Sequence, residues 1–305
     1  MFRLLCPILV AALLSAGVAH AVCSVRLQTT VPIRVAANNL LVTVAVNGQD
    51  ATFILDTGAD RTLMSEQAVH ALGIERSGWV ASAIMGIAGG TQRPDALPRS
   101  LTLGGVALRR TTLLGDTGMT VGLLPANEIE GRPVAGMLGR DFLAAFDVDL
   151  DMPARRLSLY EVRGCVAGFL PWRHPYAAIP AATPVGTALV IAVRLDQRPL
   201  RALIDTGASG SLLTAPGIVR MGLLPAILAR DPGGNGHGVG PEAVPMRLHR
   251  FGTMQVGPEV IHAPSIWTAS VHVVPIVDLL LGVDWLISRH VWLSFATKQV
   301  FVAAP

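Results

Sequence analysis

Charge is scarce in this 305-residue sequence: only 15% of residues are charged, Lys298 is the single lysine, and the formal net charge is +3. No run of Lys and Arg occurs, so we expect no nucleic-acid partner, because such partners are bound through clustered positive charge. Aromatic residues are also few (5%), whereas Gly (31) and Pro (21) are frequent. This composition is typical of a globular protein of short strands and tight turns.

Signatures of several enzyme classes are missing as well. The histidines never pair at the spacing of zinc ligands, so we expect neither a metal site nor a cofactor. No Gly-x-Ser-x-Gly occurs, which excludes the nucleophile elbow of serine hydrolases. The glycine run at 233–240 is not followed by the Gly-Lys-Ser/Thr of a nucleotide-binding loop.

The one long apolar run, residues 4–18, is too short to span a membrane comfortably. Arg3 precedes it, and Ala19-His20-Ala21 places small residues where a signal peptidase reads them. We therefore predict a signal peptide over residues 1–21 and an exported protein, periplasmic or secreted, with no stable membrane anchor after cleavage. Lipid attachment at Cys23 is the alternative, and Val22 is a poor fit to it.

Cysteine is scarce too: after removal of Cys6 with the signal peptide, Cys23 and Cys165 remain. In an oxidising compartment two cysteines can form one disulfide. They can equally stay unpaired as small hydrophobic residues. The sequence leaves both readings open.

What the sequence does contain is an internal duplication. Phe-Ile-Leu-Asp-Thr-Gly-Ala at 53–59 returns as Ala-Leu-Ile-Asp-Thr-Gly-Ala at 202–208. Each half also closes alike, with Leu-Gly-Arg-Asp-Phe-Leu at 138–143 and Leu-Gly-Val-Asp-Trp-Leu at 281–286. Asp141 and Asp284 in the closing segments are expected to be structural caps or ion-pair partners. The predicted organisation is an N-terminal lobe (22–165), a Pro-rich linker (166–185) and a C-terminal lobe (186–305).

These segments resemble aspartic peptidases. Leu-Asp-Thr-Gly-Ala-Asp-Arg-Thr at 55–62 and Gly-Arg-Asp at 139–141 are similar to the retroviral type, the retropepsins. Two such units in one chain is the arrangement of pepsin, so the chain looks like a bacterial retropepsin-like protease with a duplicated unit. The resemblance covers nearly all of the mature chain. It implies an all-β fold of two homologous acid-protease lobes, related by a pseudo-twofold axis and carrying short helices.

The resemblance further implies that Asp56 and Asp205 form a catalytic pair. Two carboxyls held close share one proton, so one can activate water as a general base while the other donates to the scissile carbonyl. The expected supporting residues of the two loops are Thr57, Gly58, Ala59, Thr206, Gly207 and Ala208. Many pepsin-like enzymes have Ser in place of Ala59 and Ala208, and without that hydroxyl we expect a mildly acidic to near-neutral pH optimum.

Two glycine-rich segments resemble the tips of flaps that cover a bound substrate. Their residues are Gly86, Ile87, Ala88 and Gly89 in the first half, and His237, Gly238 and Val239 in the second. Retropepsins have a flap in each unit and pepsins only one; we expect two here. Ordinary surface loops are the alternative reading.

The function expected from the sequence is that of an exported aspartic endopeptidase acting on polypeptides, monomeric with an intramolecular pseudo-dimer. A catalytically silent peptide-binding module on the same fold is the alternative. In a further alternative, each lobe pairs with its twin in another molecule. A third Asp-Thr-Gly, at 116–118, lacks the apolar strand directly before the Asp and is interpreted as a turn.

Overall fold

The computed structural model describes residues 22–108, 121–124, 128–166, 168–239, 242–274 and 276–304. The predicted signal peptide and the third Asp-Thr-Gly lie outside these ranges. Within them, no helix has both the length and the apolar character needed to cross a membrane.

The described residues of the first half form short strands, in which buried apolar side chains recur at every second residue, as Val42, Val44 and Val46 do in β3. These elements are β1 (Ser24–Pro32), β2 (Arg34–Ala36), β3 (Asn39–Val46), β4 (Gln49–Leu55), β5 (Leu63–Ser65), α1 (Glu66–Ala71), β6 (Glu75–Gly86), β7 (Gly89–Leu97), β8 (Leu101–Leu103), β9 (Val106–Ala107), β10 (Gly122–Leu124), β11 (Glu128–Ile129), β12 (Arg132–Pro133), β13 (Gly136–Leu138), α2 (Arg140–Leu143), β14 (Asp147–Asp151) and β15 (Arg156–Arg163).

The second half repeats most of this order. Its elements are β16 (Tyr176–Ala182), β17 (Val190–Leu195), β18 (Arg198–Ile204), β19 (Leu212–Leu213), α3 (Ala215–Met221), α4 (Pro225–Leu228), β20 (Gly233–Gly236), β21 (Val244–Arg250), β22 (Thr253–Val256), β23 (Glu259–His262), β24 (Ser265–Thr268), β25 (Leu279–Leu281), α5 (Val283–Leu286), β26 (His290–Ser294) and β27 (Gln299–Ala303). The all-β, two-lobed fold with short helices is confirmed.

Equivalent strands pair in the same way in the two lobes. The β3–β4 hairpin turns at Asn47-Gly48 and the β17–β18 hairpin at Asp196-Gln197, with positive φ at all four residues, as tight two-residue hairpin turns require. The second strand of each hairpin then pairs in parallel with the strand of the closing segment, β13 in the first lobe and β25 in the second.

One sheet runs continuously through both lobes, in the order β1-β15-β14-β26-β27-β16 and onward into the second lobe. The lobes meet where β14 pairs antiparallel with β26, for example Leu150 opposite Val291. Both of these residues are fully buried in one apolar cluster with residues from each lobe. Separating the lobes would therefore expose two strand edges together with core residues.

The segment predicted to be a Pro-rich linker, 166–185, contains a strand. Its second part is β16, which pairs with β27 in the same way that β1 pairs with β15 in the first lobe. Leu170 is buried with Trp292 and Phe301, which anchors the first part. The prolines suggested a linker because proline cannot donate to a strand ladder. Pro180, however, is exposed and pairs only with Gln299 of β27, because the pairing of β16 with β17 includes Ala181 and Ala182 but not Pro180.

Cys23 and Cys165 form a disulfide in the structure. It lies just beyond the last pair of the β1–β15 ladder, Ser24 opposite Arg163. The alternative of two unpaired residues is therefore not what the fold shows, and the bond fixes the start of the described chain to the end of the first lobe.

Candidate active site

Asp56 and Asp205 occupy matching positions, each directly after the strand that brings it into the centre of the molecule. Their backbone N–H groups donate to the carbonyl oxygens of the closing segments, Asp56 to Leu138 and Asp205 to Leu281, each at 3.0 Å. Both side chains are buried, with 4% and 9% of their surface exposed. The duplicated sequence thus delivers two carboxyls to one interior place.

Backbone amides of the two turns hold the carboxyls in fixed orientations. Oδ1 of Asp56 accepts from the N–H groups of Gly58 and Ala59, at 2.9 and 2.8 Å. Oδ1 of Asp205 accepts from the N–H of Gly207 at 3.0 Å. These donors favour the charged form of each carboxyl and leave its second oxygen for other partners.

Thr57 and Thr206 lock the two loops together through four hydrogen bonds that are related by the pseudo-twofold axis. The Thr57 hydroxyl donates to the Ile204 carbonyl (2.8 Å), and the Thr206 hydroxyl donates to the Leu55 carbonyl (2.7 Å). Each hydroxyl also accepts from the backbone N–H of the other threonine, at 2.9 and 3.1 Å. Each hydroxyl thus bonds to the backbone of the partner loop, so neither loop holds its position without the other.

Glycine is required in each loop because the opposite carboxyl fills the space of a side chain. A Cβ on Gly58 would lie 2.4 Å from Oδ1 of Asp205, and a Cβ on Gly207 would lie 2.4 Å from Oδ1 of Asp56. No side chain can be accommodated at such a distance. Each carboxyl therefore sits directly over the glycine of the other lobe's loop.

Burial chiefly, and the nearby charge of Asp205 next, raise the pKa of Asp56 from 3.8 to about 7, against the opposing effect of the loop amides and Arg140. Burial likewise raises the pKa of Asp205. Two carboxyls this close do not both ionise readily, so the pair retains one proton in mildly acidic solution. No Ser hydroxyl is present at residues 59 and 208 to oppose this shift.

Arg140 supports the first loop, a role that our sequence analysis missed. Its side chain is almost wholly buried, and its Nη1 donates to the carbonyl oxygens of Thr57 and Gly58 at 2.6 and 2.8 Å. Its Nη2 forms an ion pair with Asp60. In the second lobe Val283 takes the place of Arg140, so a buried charge supports one loop only. In the sequence, the Gly-Arg-Asp motif was the signal from which this role of Arg140 could have been inferred.

Asp141 and Asp284, expected as structural caps or ion-pair partners, instead accept hydrogen bonds from the residue before β5 and the residue before β19. Oδ1 of Asp141 accepts from the backbone N–H and the hydroxyl of Thr62, at 2.9 and 2.7 Å. Oδ1 of Asp284 accepts from the same two groups of Ser211 at the same distances. Each aspartate thus holds its closing helix against the strand that follows the Asp-Thr-Gly loop.

The structure brings the two expected flap segments together. Gly86 and Gly89 pair across the tip of the β6–β7 hairpin, with Ile87 and Ala88 between them. A Cβ on Gly86 would lie 3.2 Å from Cβ of Val239, and a Cβ on Gly238 would lie 2.9 Å from Cγ1 of Ile87. His237, next to this contact, is exposed. The two tips therefore meet in a reciprocal contact.

Each flap tip also reaches the opposite lobe. Ile87 of the first flap packs on the second-lobe cluster that contains Leu203 and Leu212. Val239 of the second flap packs on the first-lobe cluster of Leu63, Ile84 and Leu124. Each tip thus lies against the lobe opposite to its own.

Comparison with known proteins supports this architecture. A family model described as aspartyl protease matches residues 42–142 and 191–285, together more than half of the chain, and each segment contains one of the two aspartates. The aspartic proteinase from Irpex lacteus has a similar structure, with a TM-score of 0.51 over 92% of this chain and 97% of that one. At 9% sequence identity, this likeness shows a shared fold alone. No curated protein matches the sequence.

Proposed function

We propose that this chain, which belongs to the aspartyl protease family, is an exported aspartic endopeptidase in which Asp56 and Asp205 share one active site. The observation that supports this most directly is the reciprocal packing of each carboxyl over the glycine of the opposite loop. That packing holds two buried carboxyls together, and burial raises the pKa of both. Two carboxyls that share one proton provide one acid and one base in a single site.

In the proposed reaction, the charged member of the pair removes a proton from a water molecule as it attacks the carbonyl carbon of the peptide bond. The neutral member donates its proton to the carbonyl oxygen, which gives a tetrahedral gem-diol. Transfer of a proton to the nitrogen and cleavage of the C–N bond then release an amine and a carboxylic acid. The chain's own carboxyls provide every proton transfer in this scheme.

The proposed substrate is an extended polypeptide. The edges of β6–β7 and of β20–β21 offer backbone groups to a strand-like peptide, while apolar side chains beside the loops contact its side chains. The N-terminal sequence supports export, and the shared sheet supports action as a monomer, because both halves of the site lie in one molecule.

The test is hydrolysis of an unfolded protein by purified residues 22–305, with and without a pepstatin-type inhibitor, over pH 3–9. The wild type should hydrolyse the protein, and the pepstatin-type inhibitor should block this activity. The activity should fall as pH rises through about 7, where the pair loses its shared proton. Asp56→Asn and Asp205→Asn should each lose more than about 1,000-fold in kcat, since neither carboxyl can act alone.

Asp50→Asn is the matched control, because Asp50 is an exposed residue of β4, the strand that leads to Asp56. It should keep wild-type activity. Equal activity in all variants would reveal a different site or a contaminant. Peptide binding without turnover in the wild type would instead favour the silent binding module.

A further inference from the structure

The two lobes differ at one pair of equivalent positions beside the strands that follow the Asp-Thr-Gly loops. In the first lobe, Gly122 of β10 lies opposite Leu63 of β5 in a parallel pair. In the second lobe, Trp267 of β24 lies opposite Leu212 of β19 in the same kind of pair. Because Leu63 and Leu212 hold the same place in the repeat, the residue without a side chain in one lobe corresponds to an indole in the other.

Around Gly122 the space is already filled. A Cβ on Gly122 would lie 2.6 Å from Cδ2 of Leu63 and 3.3 Å from Cδ1 of Ile84. Both leucine and isoleucine are buried there, together with Leu124. The first lobe thus presents a closed aliphatic wall at this place.

Around Trp267 two glycines make room for the ring. A Cβ on Gly210 would lie 3.3 Å from Cδ1 of the indole, and a Cβ on Gly234 would lie 2.7 Å from its Cη2. Gly210 belongs to the loop that carries Asp205, and Gly234 belongs to β20 of the second flap. The partly exposed indole packs on the same apolar cluster as Ile87 of the first flap. Trp267 therefore lies where the second loop and both flaps converge.

The neighbours of this position differ in charge as well. Arg61 holds the same place after Asp56 that Gly210 holds after Asp205, and its guanidinium bonds to Ser82 and to the fully buried Asp95 at 3.0 Å. In the second lobe, the strand residue opposite Trp267 is Leu248. The position is thus filled beside an ion pair in the first lobe, whereas in the second lobe an indole lies against a leucine and two glycines.

We propose that Trp267 is a specificity-determining residue, which selects a large aromatic or aliphatic substrate side chain on one side of the scissile bond only. This inference rests on the proposed function, because it assigns a preference to the same cleft. A flat ring between two glycines offers contact area to a bulky apolar side chain, and an aromatic side chain gains additional ring–ring attraction. The first-lobe wall lacks an equivalent surface, so the preference is one-sided.

The experiment is cleavage-site profiling of a proteome-derived peptide library by mass spectrometry. The wild type should show enrichment of large apolar residues at one position on one side of the cleaved bond. Trp267→Leu should reduce kcat/KM for those peptides about 10-fold or more relative to peptides with small residues there. Trp267→Phe should keep most of the preference, because it retains an aromatic ring.

Trp79→Leu is the matched control, since Trp79 is 98% exposed. The substitution removes an indole from the β6–β7 hairpin and leaves the neighbours of Trp267 unchanged. Its profile should equal that of the wild type. An unchanged profile in a folded Trp267→Leu protein, or a preference of equal strength on both sides of the bond, would overturn the inference.

Binding of the same peptides to Asp56→Asn separates this inference from the proposed function. If the wild type does not hydrolyse peptides, the proposed function fails, but Trp267→Leu in the Asp56→Asn background should still lose the selective binding of large apolar peptides. If hydrolysis is observed and that selectivity does not depend on Trp267, the inference alone fails.

Discussion

Replacing Asp56 by Asn should stabilise the folded protein at pH 8 and leave its stability nearly unchanged at pH 4. Asn keeps Oδ1, which accepts from the N–H groups of Gly58 and Ala59, so the loop loses none of those bonds. What it loses is a carboxyl whose ionisation is opposed by burial and by the charge of Asp205. The substitution therefore isolates the cost of charging the buried site.

The sign and size of the effect follow from linkage. The folded-state pKa of Asp56 is about 7, against an ordinary value of 3.8, so the folded state binds more protons than the unfolded state between these two values. The contribution of Asp56 to the stability of the wild type is then highest below about pH 4, falls as pH rises, and stays low above about pH 7. Roughly three pKa units at 1.36 kcal/mol each correspond to about 4 kcal/mol, which Asp56→Asn should recover at pH 8.

Urea unfolding at pH 4, 6 and 8, followed by circular dichroism, measures this difference directly. Asp50→Asn serves as the control, because it removes an exposed carboxyl from β4, the strand that precedes Asp56, and its free energy of unfolding should follow that of the wild type at each pH. The reasoning would be refuted if the difference in the free energy of unfolding between Asp56→Asn and the wild type did not grow with pH. An Asp56→Asn protein that is less stable than wild type at pH 8 would refute it as well.

Two further predictions concern bonds that join segments distant in sequence. Thr206→Val should lower the free energy of unfolding by about 2–5 kcal/mol in urea titrations, because it leaves the buried Thr57 N–H and Leu55 carbonyl without partners. Thr206→Ser retains the hydroxyl and should stay within about 1 kcal/mol of wild type; equal losses in both variants would contradict the role of these bonds. Cys23→Ser with Cys165→Ser opens a loop closed over 142 residues and should cost about 3–5 kcal/mol. Thiol titration should find no free thiol in unfolded, non-reduced residues 22–305, and two free thiols there would show that the bond does not form.

The duplicated segments allowed much of the fold to be predicted, because the same local pattern occurs twice. An apolar strand, an Asp-Thr-Gly turn and a Leu-Gly-x-Asp closure each specify local geometry, and two copies of them imply a twofold arrangement. Hence the positions of Asp56 and Asp205 at one centre, and the cross-bonds of Thr57 and Thr206, could be expected before the structure.

The features that the sequence did not specify depend on contacts between distant segments. β16 contains Pro180, which suggested a linker, and only its pairing with β27 gives it a strand conformation. The choice between a Cys23–Cys165 disulfide and two free thiols depended on the β1–β15 ladder bringing both ends together. Arg140 lies far from Thr57 in sequence, so its support of that loop required the folded closing segment.

The threonine cross-bonds have a consequence for the newly made chain. The N-terminal half is synthesised first, yet its loop lacks the donors and acceptors of Thr206 and Ile204 until the second half has folded. The edge of β14 is likewise covered only by β26, near the end of the chain. A growing chain therefore holds one carboxyl without its partner, and the proposed chemistry can begin only after nearly all of the polypeptide is in place.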